Sequence, residues 1–170
     1  MATVAADLLE PSSIVDPHTG RARPDPVRTS DAAVIGPVRE NLVIRALNLR
    51  IAAASGTAVE QGEALAVLRY SPGQRYHPHH DALPGAANQR LWTMLVYLNQ
   101  GYGGGETVFP ATGLSVRGRS GDGLLFRNCG AEGGIDAMAR HAGQPVTAGT
   151  KWLCTRWIRQ RPIDPWNAAA

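Results

Sequence analysis

The sequence predicts a mainly β protein with one flanking helix, folded as a small barrel or jelly roll. Three observations carry this. Nineteen glycines and twelve prolines in 170 residues imply many turns. From Gly62 onward, short runs rich in valine, leucine and aromatic residues alternate with glycine-containing turns, the spacing of a sandwich or barrel. One stretch ahead of that point has a helical apolar period. The length suits one domain over residues 1–170 with a sizeable core, and no internal repeat divides it.

In chain order, residues 11–31, "PSSIVDPHTGRARPDPVRTSD", are proline-rich and polar. They read as a long loop or irregular hairpin, and loops of this length are functional or disordered. Between residues 31 and 55 the pattern turns helical, with Ser30 and Asp31 as N-cap candidates. Val38, Leu42, Ile44, Leu47, Ile51 and Ala52 form the apolar stripe, and Gly56 is a natural stop. Pro37 divides the stretch, so the main helix is expected over 37–55. Eight strands follow within a barrel core over 64–160: "ALAVLRY", "RYHPHHDA", "LWTMLVYLN", "GETVFP", "LSVRG", "DGLLFRN", "ARHAGQPV" and "KWLCTRWIR".

Composition excludes several function classes. Net charge is +3 with scattered basic residues, so no nucleic-acid surface is expected. No apolar run reaches the length of a membrane span, and the start lacks the basic and apolar regions of a signal peptide. Cys129 and Cys154 fit no zinc spacing and read as buried reduced thiols. The expectation is a soluble, cytoplasmic protein.

The chemistry-bearing stretch is "YHPHHD", residues 76–81, which holds three of the five histidines. On a strand, residues two apart share a face, so His79 and Asp81 are neighbours and His80 points away. His77 also lies on the His79 face. A histidine pair with a nearby carboxylate suits zinc; one histidine, one carboxylate and a remote histidine suit the facial triad of non-haem Fe(II). His141, on a strand that barrel closure brings beside the first, is the candidate for that remote ligand. Spacing alone leaves the two sets open.

Lys151 opens the next strand, ten residues after His141. A lysine starting an inner barrel strand is costly unless it meets an anion. A dicarboxylate held by the metal at one end would place its far carboxylate there. Tyr70, Thr93 and Tyr97 are hydroxyls on the strands nearest this position and complete the expected pocket.

These pieces, in this order, resemble the prolyl 4-hydroxylase branch of the 2-oxoglutarate and Fe(II)-dependent dioxygenases, in its bacterial and algal form. The matching stretches are "LRYSPGQRYHPHHD", "RLWTMLVYLNQGYGGGETVFP", "GDGLLFRN" and "RHAGQPVTAGTKWLCTRWI", and the likeness runs from about Ser13 to Ile158. The resemblance implies a double-stranded β-helix of the cupin-like jelly-roll type. It places the metal ligands on His79, Asp81 and His141, and leaves His77 and His80 without a ligand role. It puts the far carboxylate of 2-oxoglutarate on Lys151, with Tyr70 in contact and Thr93 and Tyr97 lining the pocket. Arg90 and Trp157 fall on the substrate side. No catalytic residue beyond the metal ligands is implied.

The chemistry so implied uses Fe(II), 2-oxoglutarate and O2, with ascorbate as a reductant. Decarboxylation of 2-oxoglutarate yields succinate and CO2 while a C–H bond becomes C–OH. The substrate implied is a prolyl residue of a peptide or protein, hydroxylated at C4. The same chemistry on a free amino acid or a small natural product is the alternative, and a non-catalytic sensor of metal or 2-oxoglutarate is the second. Succinate release coupled to oxygen uptake separates enzyme from sensor. Residues 13–31 match a segment that covers the substrate groove in such enzymes. About fifteen residues precede Asp16, where the resemblance leads one to expect a further strand and helix, so a shortened N-terminus is expected.

Overall fold

A computed structural model describes residues 1–15, 22–25, 27–130, 133–164 and 166. A short helix α1 (Ala2–Ala6) leads into β1 (Glu10–Pro11), β2 (Ser13–Val15), β3 (Ala22–Pro24) and β4 (Asp31–Ile35). Helix α2 (Leu42–Ser55) precedes β5 (Leu65–Tyr70), β6 (Tyr76–His79), β7 (Arg90–Tyr97), β8 (Gly103–Gly104), β9 (Thr107–Phe109) and β10 (Leu114–Val116). The chain closes through β11 (Gly123–Arg127), β12 (His141–Gly143), β13 (Val146–Ala148) and β14 (Lys151–Arg159). A six-stranded sheet runs β1-β4-β5-β14-β7-β11, and a four-stranded sheet β10-β9-β12-β6 faces it.

Each run read as a strand contains one. "ARHAGQPV" splits into β12 and β13, because Pro145 has no N–H for the ladder. The N-terminal half departs further from expectation. Residues 31–35, read above as the start of a helix, form β4, paired residue for residue with β5 from Asp31↔Arg69 to Ile35↔Leu65. Ala33 and Ile35 are buried while Val34 is exposed, the two-residue period of a strand with one face on the core. Five residues are too few to show that period in the sequence. Arg69 Nη2 fixes the register on Asp31 at 2.9 Å.

The helix also starts later than expected. Residues 37–39 make one 3-10 turn, and the N-cap is Asn41, whose Oδ1 accepts from the Ile44 N–H at 3.0 Å. Ser30 and Asp31 therefore cap nothing. Val38 and Leu42, counted in the apolar stripe, are 84% and 88% exposed. The buried face is Ile44, Asn48, Ile51 and Ala52, the i, i+4, i+7, i+8 stripe of a helix on a sheet.

Strand alternation then divides the core into two layers. Leu65, Val67, Met94, Cys154 and Ile158 face α2 and pack with Ile44 and Ile51. Leu68, Tyr70, Leu95, Tyr97 and Leu153 point the other way, into the space between the sheets. Each fully buried aliphatic side chain contributes about 1.5–3 kcal/mol. The second layer holds the site, because Lys151, Thr155 and Trp157 share the inward face of β14 with Leu153. The cover expected over residues 13–31 falls partly on residues 16–21 and 26, outside the described residues; β2 and β3 pair as a hairpin, Ser13↔Pro24 to Val15↔Ala22. Among the described residues no helix is long and apolar enough to cross a membrane.

Candidate active site

Antiparallel pairing of β12 with β6 sets His141 directly opposite His79. β6 ends at His79, so Asp81 reaches the same place from the bend after it and not as the next inward residue of a strand. The ligating atoms of His79, Asp81 and His141 all lie within 4.8 Å of one another. Neither His77 nor His80 belongs to this group; His77 is exposed and accepts from Arg75 Nε at 3.2 Å.

Backbone carbonyls orient both imidazoles. His79 Nδ1 bonds the His77 carbonyl at 2.7 Å and His141 Nδ1 the Ala139 carbonyl at 2.9 Å. A carbonyl only accepts, so each Nδ1 carries a proton, and in the neutral ring each Nε2 presents a lone pair. Those lone pairs face Asp81, with His79 Nε2 at 3.5 Å from Oδ1 and His141 Nε2 at 3.6 Å from Oδ2. His79 Nε2 is buried without a hydrogen-bond partner. Three acceptors converging in a buried space repel one another unless a cation is shared among them. Two imidazoles and one carboxylate are the donor set of non-haem Fe(II), and the residues present fit that ion.

Electrostatics favour the binding forms of Asp81 and His141. Burial would raise the Asp81 pKa, but the His79 ring, His141 and the Thr93 hydroxyl outweigh it and hold the carboxyl well below its usual range. Burial lowers the His141 pKa against the pull of Asp81, which favours the neutral ring. Tyr76 stacks on His79 with centroids 3.5 Å apart, and Phe126 and Phe109 close on His141 at 4.7 and 5.6 Å. The surroundings are aromatic, which limits water.

Lys151 stands deeper in the same cavity, opposite Tyr70 in the β14–β5 register. Its Nζ donates to the Gly105 carbonyl at 2.7 Å and lies 5.5 and 5.7 Å from the Tyr70 and Tyr97 ring centroids. Gly105 has φ +71°, and a Cβ there would sit 3.2 Å from Lys151 Cδ. Only glycine allows that turn and that approach. Tyr70 is pushed up to about 12 by burial, eased by Arg28 and Ser30, so its hydroxyl keeps its proton.

A match over residues 65–159, more than half of the chain, is to the model of the 2OG-Fe(II) oxygenase superfamily. The chain belongs to that superfamily. This family uses Fe(II), 2-oxoglutarate and O2. Prolyl 4-hydroxylase 1 of Arabidopsis thaliana is 37% identical to this 2OG-Fe(II) oxygenase family member over 177 residues, 93% of this chain and 62% of that protein. The chain spans about three fifths of the length of the Arabidopsis thaliana relatives it matches. Among solved structures, a viral collagen prolyl hydroxylase from Paramecium Bursaria Chlorella virus-1, in complex with 2OG, gives a TM-score of 0.67 at 26% identity over 78% of this chain and 80% of that one. A prolyl-4-hydroxylase from Pseudomonas putida, 22% identical, shares the fold with a TM-score of 0.62 over 92% of this chain and 79% of its own. The fold of this oxygenase-family chain is accordingly the double-stranded β-helix.

Of the residues singled out in the sequence, the cavity walls include Tyr70, His79, Asp81, His141, Lys151 and Trp157. Thr93 and Tyr97 stand behind those walls. Thr93 Oγ1 donates to Asp81 Oδ2 at 2.7 Å, and Tyr97 Oη donates to Thr107 Oγ1 at 3.1 Å. Thr107 itself is a wall, from the "GETVFP" strand, and was not singled out. Tyr76 and Arg28 are walls that sequence reasoning also passed over. Arg28 lies 5.3 Å from the Tyr76 ring and bridges to β6, although it belongs to the polar N-terminal stretch. A wider cleft of about 720 Å³ runs between α2 and residues 59–65 and shares no wall with this cavity.

Arg90 is not a wall. Its Nε and Nη2 donate to the two Glu63 carboxylate oxygens at 2.7 Å, and its guanidinium stacks 4.0 Å from the Trp157 ring. Arg159 Nε reaches the same carboxylate. Glu63 thus ties two cations beside the indole that edges the cavity. Glu63→Gln is expected to destabilise the protein by about 1–3 kcal/mol in chemical denaturation, since it leaves two half-buried guanidiniums short of their anion. A loss below about 0.5 kcal/mol would show the pairs to be ordinary surface contacts.

Proposed function

We propose that the chain is a 2-oxoglutarate- and Fe(II)-dependent dioxygenase that hydroxylates prolyl residues at C4 in a peptide or protein. The observation that carries this reading is the pair of sites in one cavity: the His79–Asp81–His141 acceptors and, beyond them, a buried ammonium on Lys151. His79, Asp81 and His141 would hold the ion, which when bound supplies the dioxygen chemistry the side chains lack. Lys151 binds the far carboxylate of 2-oxoglutarate, with the Tyr70 hydroxyl as a further donor. The Tyr97–Thr107 hydrogen bond holds Thr107 at that end of the pocket. Phe109, Phe126 and Tyr76 keep water from the reacting centre. Trp157, steadied by Arg90 and Glu63, borders the side from which a prolyl ring would approach. The names of the relatives favour a prolyl substrate over a free amino acid, and ascorbate as reductant is part of the proposal.

The test is to incubate the iron-loaded protein with 2-oxoglutarate and a library of proline-containing peptides, measuring succinate, oxygen uptake and peptide mass. Succinate formed in step with a gain of one oxygen atom on a prolyl residue is the expected result. Succinate with no modified peptide, and turnover of free amino acids instead, would move the substrate to small molecules. No succinate under any condition would leave a binding protein.

A further inference from the structure

Asn128 follows β11 and is 1% exposed. Its backbone is held on both sides, the N–H by the Leu91 carbonyl at 2.8 Å and the carbonyl by the Asp136 N–H at 3.0 Å. Its side chain points at neither the cavity nor solvent. Nδ2 donates to Thr93 Oγ1 at 2.9 Å, and Thr93, fully buried, donates to Asp81 Oδ2 at 2.7 Å.

The direction of this chain of hydrogen bonds is forced. An ionised carboxylate only accepts, so the Thr93 proton points at Asp81. The Thr93 oxygen then has only lone pairs left for its second neighbour. That neighbour must be the amide N–H; with the amide turned over, two acceptors would face each other. The consequence is a locked hydroxyl. Without the amide, the Thr93 side chain is free to turn its proton to another acceptor.

We infer that Asn128 is a positioning residue for the metal centre: it holds the Thr93 hydroxyl on Asp81 Oδ2 and so fixes the orientation in which the carboxylate meets the two imidazoles. This rests on the reading of His79, Asp81 and His141 as metal ligands. Groups that hydrogen-bond a ligand fix its orientation and tune its donor strength, and their loss costs about 10–100-fold in metal affinity. The position also carries a cost. Asn128 Oδ1 is buried with no partner, a desolvation penalty that an apolar side chain of the same size would avoid. A purely structural role would be served as well by leucine.

The experiment is a Co(II) titration of the apo-protein, followed through the visible absorption of the bound ion, with apo unfolding midpoints recorded alongside. Thr93→Val and Asn128→Leu are each expected to weaken Co(II) binding about 10–100-fold. Thr93→Ser, which keeps the hydroxyl, should bind like wild type. The double variant should bind no more weakly than Thr93→Val alone, since both changes break one relay. The inference is overturned if Asn128→Leu leaves affinity and spectrum unchanged, or if it weakens binding by the same factor when Thr93 is already valine. Wild-type protein that takes up no Co(II) at all would instead remove the metal reading on which the inference stands.

Discussion

Asp81→Ala, and equally His141→Ala or His79→Ala, is expected to abolish both metal uptake and turnover. Loss of an outer partner costs about 10–100-fold in metal affinity, so loss of a ligand should cost more than about a hundredfold. The geometry gives no substitute. His77 is exposed and its Nε2 is already occupied by Arg75, and His80 lies outside the cluster of ligating atoms. His77→Ala and His80→Ala should therefore keep most activity. Asp81→Ala has a second consequence in the apo-protein. It removes the anion that His79 and His141 face at 3.5 and 3.6 Å, so the alanine variant should fold with only two of the three converging acceptors and still lack metal. Metal content after iron loading and succinate formation check both statements. Retention of iron by Asp81→Ala together with its loss in His77→Ala would mean that a different set of residues holds the ion.

Strands and ligands differed in how far they could be read from the residues alone. β5, β7 and β14 were legible because their apolar runs are long and glycine turns bound them. β4 was not, since five residues carry too little periodicity and its identity comes from pairing with Arg69 and Leu65 across the sheet. His79, Asp81 and His141 stood out as rare residue types, but spacing left zinc and iron sets equally open. Their convergence depends on the β12–β6 register, which no local pattern encodes. Hydroxyls and amides are harder still. Thr93 was read as a wall of the co-substrate pocket, but its hydroxyl is committed to Asp81. Thr107 and Tyr76 are common residue types on ordinary strands, Asn128 is one just past a strand, and only their neighbours give them a role. Glu63 gathers Arg90 from 27 residues away and Arg159 from 96, and a lone glutamate ahead of a strand signals neither.

Lys151→Ala is expected to weaken 2-oxoglutarate binding by about 10²–10³-fold, or about 2.7–4.1 kcal/mol, while metal affinity is kept. The argument is one of unfinished pairing. Lys151 is 3% exposed and donates one proton to the Gly105 carbonyl. Among the described residues it meets no carboxylate; the nearest acidic influence is Glu106, which faces Arg117 at 3.7 Å. Burial accordingly lowers its pKa from 10.5 to about 8. Two pH effects of opposite kind follow. Between about pH 8 and 10.5 the unfolded lysine binds a proton that the folded one has lost. Stability of the apo-protein from this residue should therefore rise with pH across that window, and Lys151→Met should flatten the rise. The co-substrate reverses the preference, because its carboxylate favours the ammonium. Binding of 2-oxoglutarate should be tightest below about pH 8 and weaken as Lys151 loses its proton above that value. Calorimetric titration of the Co(II)-loaded protein across this range, for wild type and Lys151→Met, reads the effect directly. A 2-oxoglutarate affinity that is the same in both proteins, with the same pH dependence, would place the far carboxylate somewhere other than Lys151.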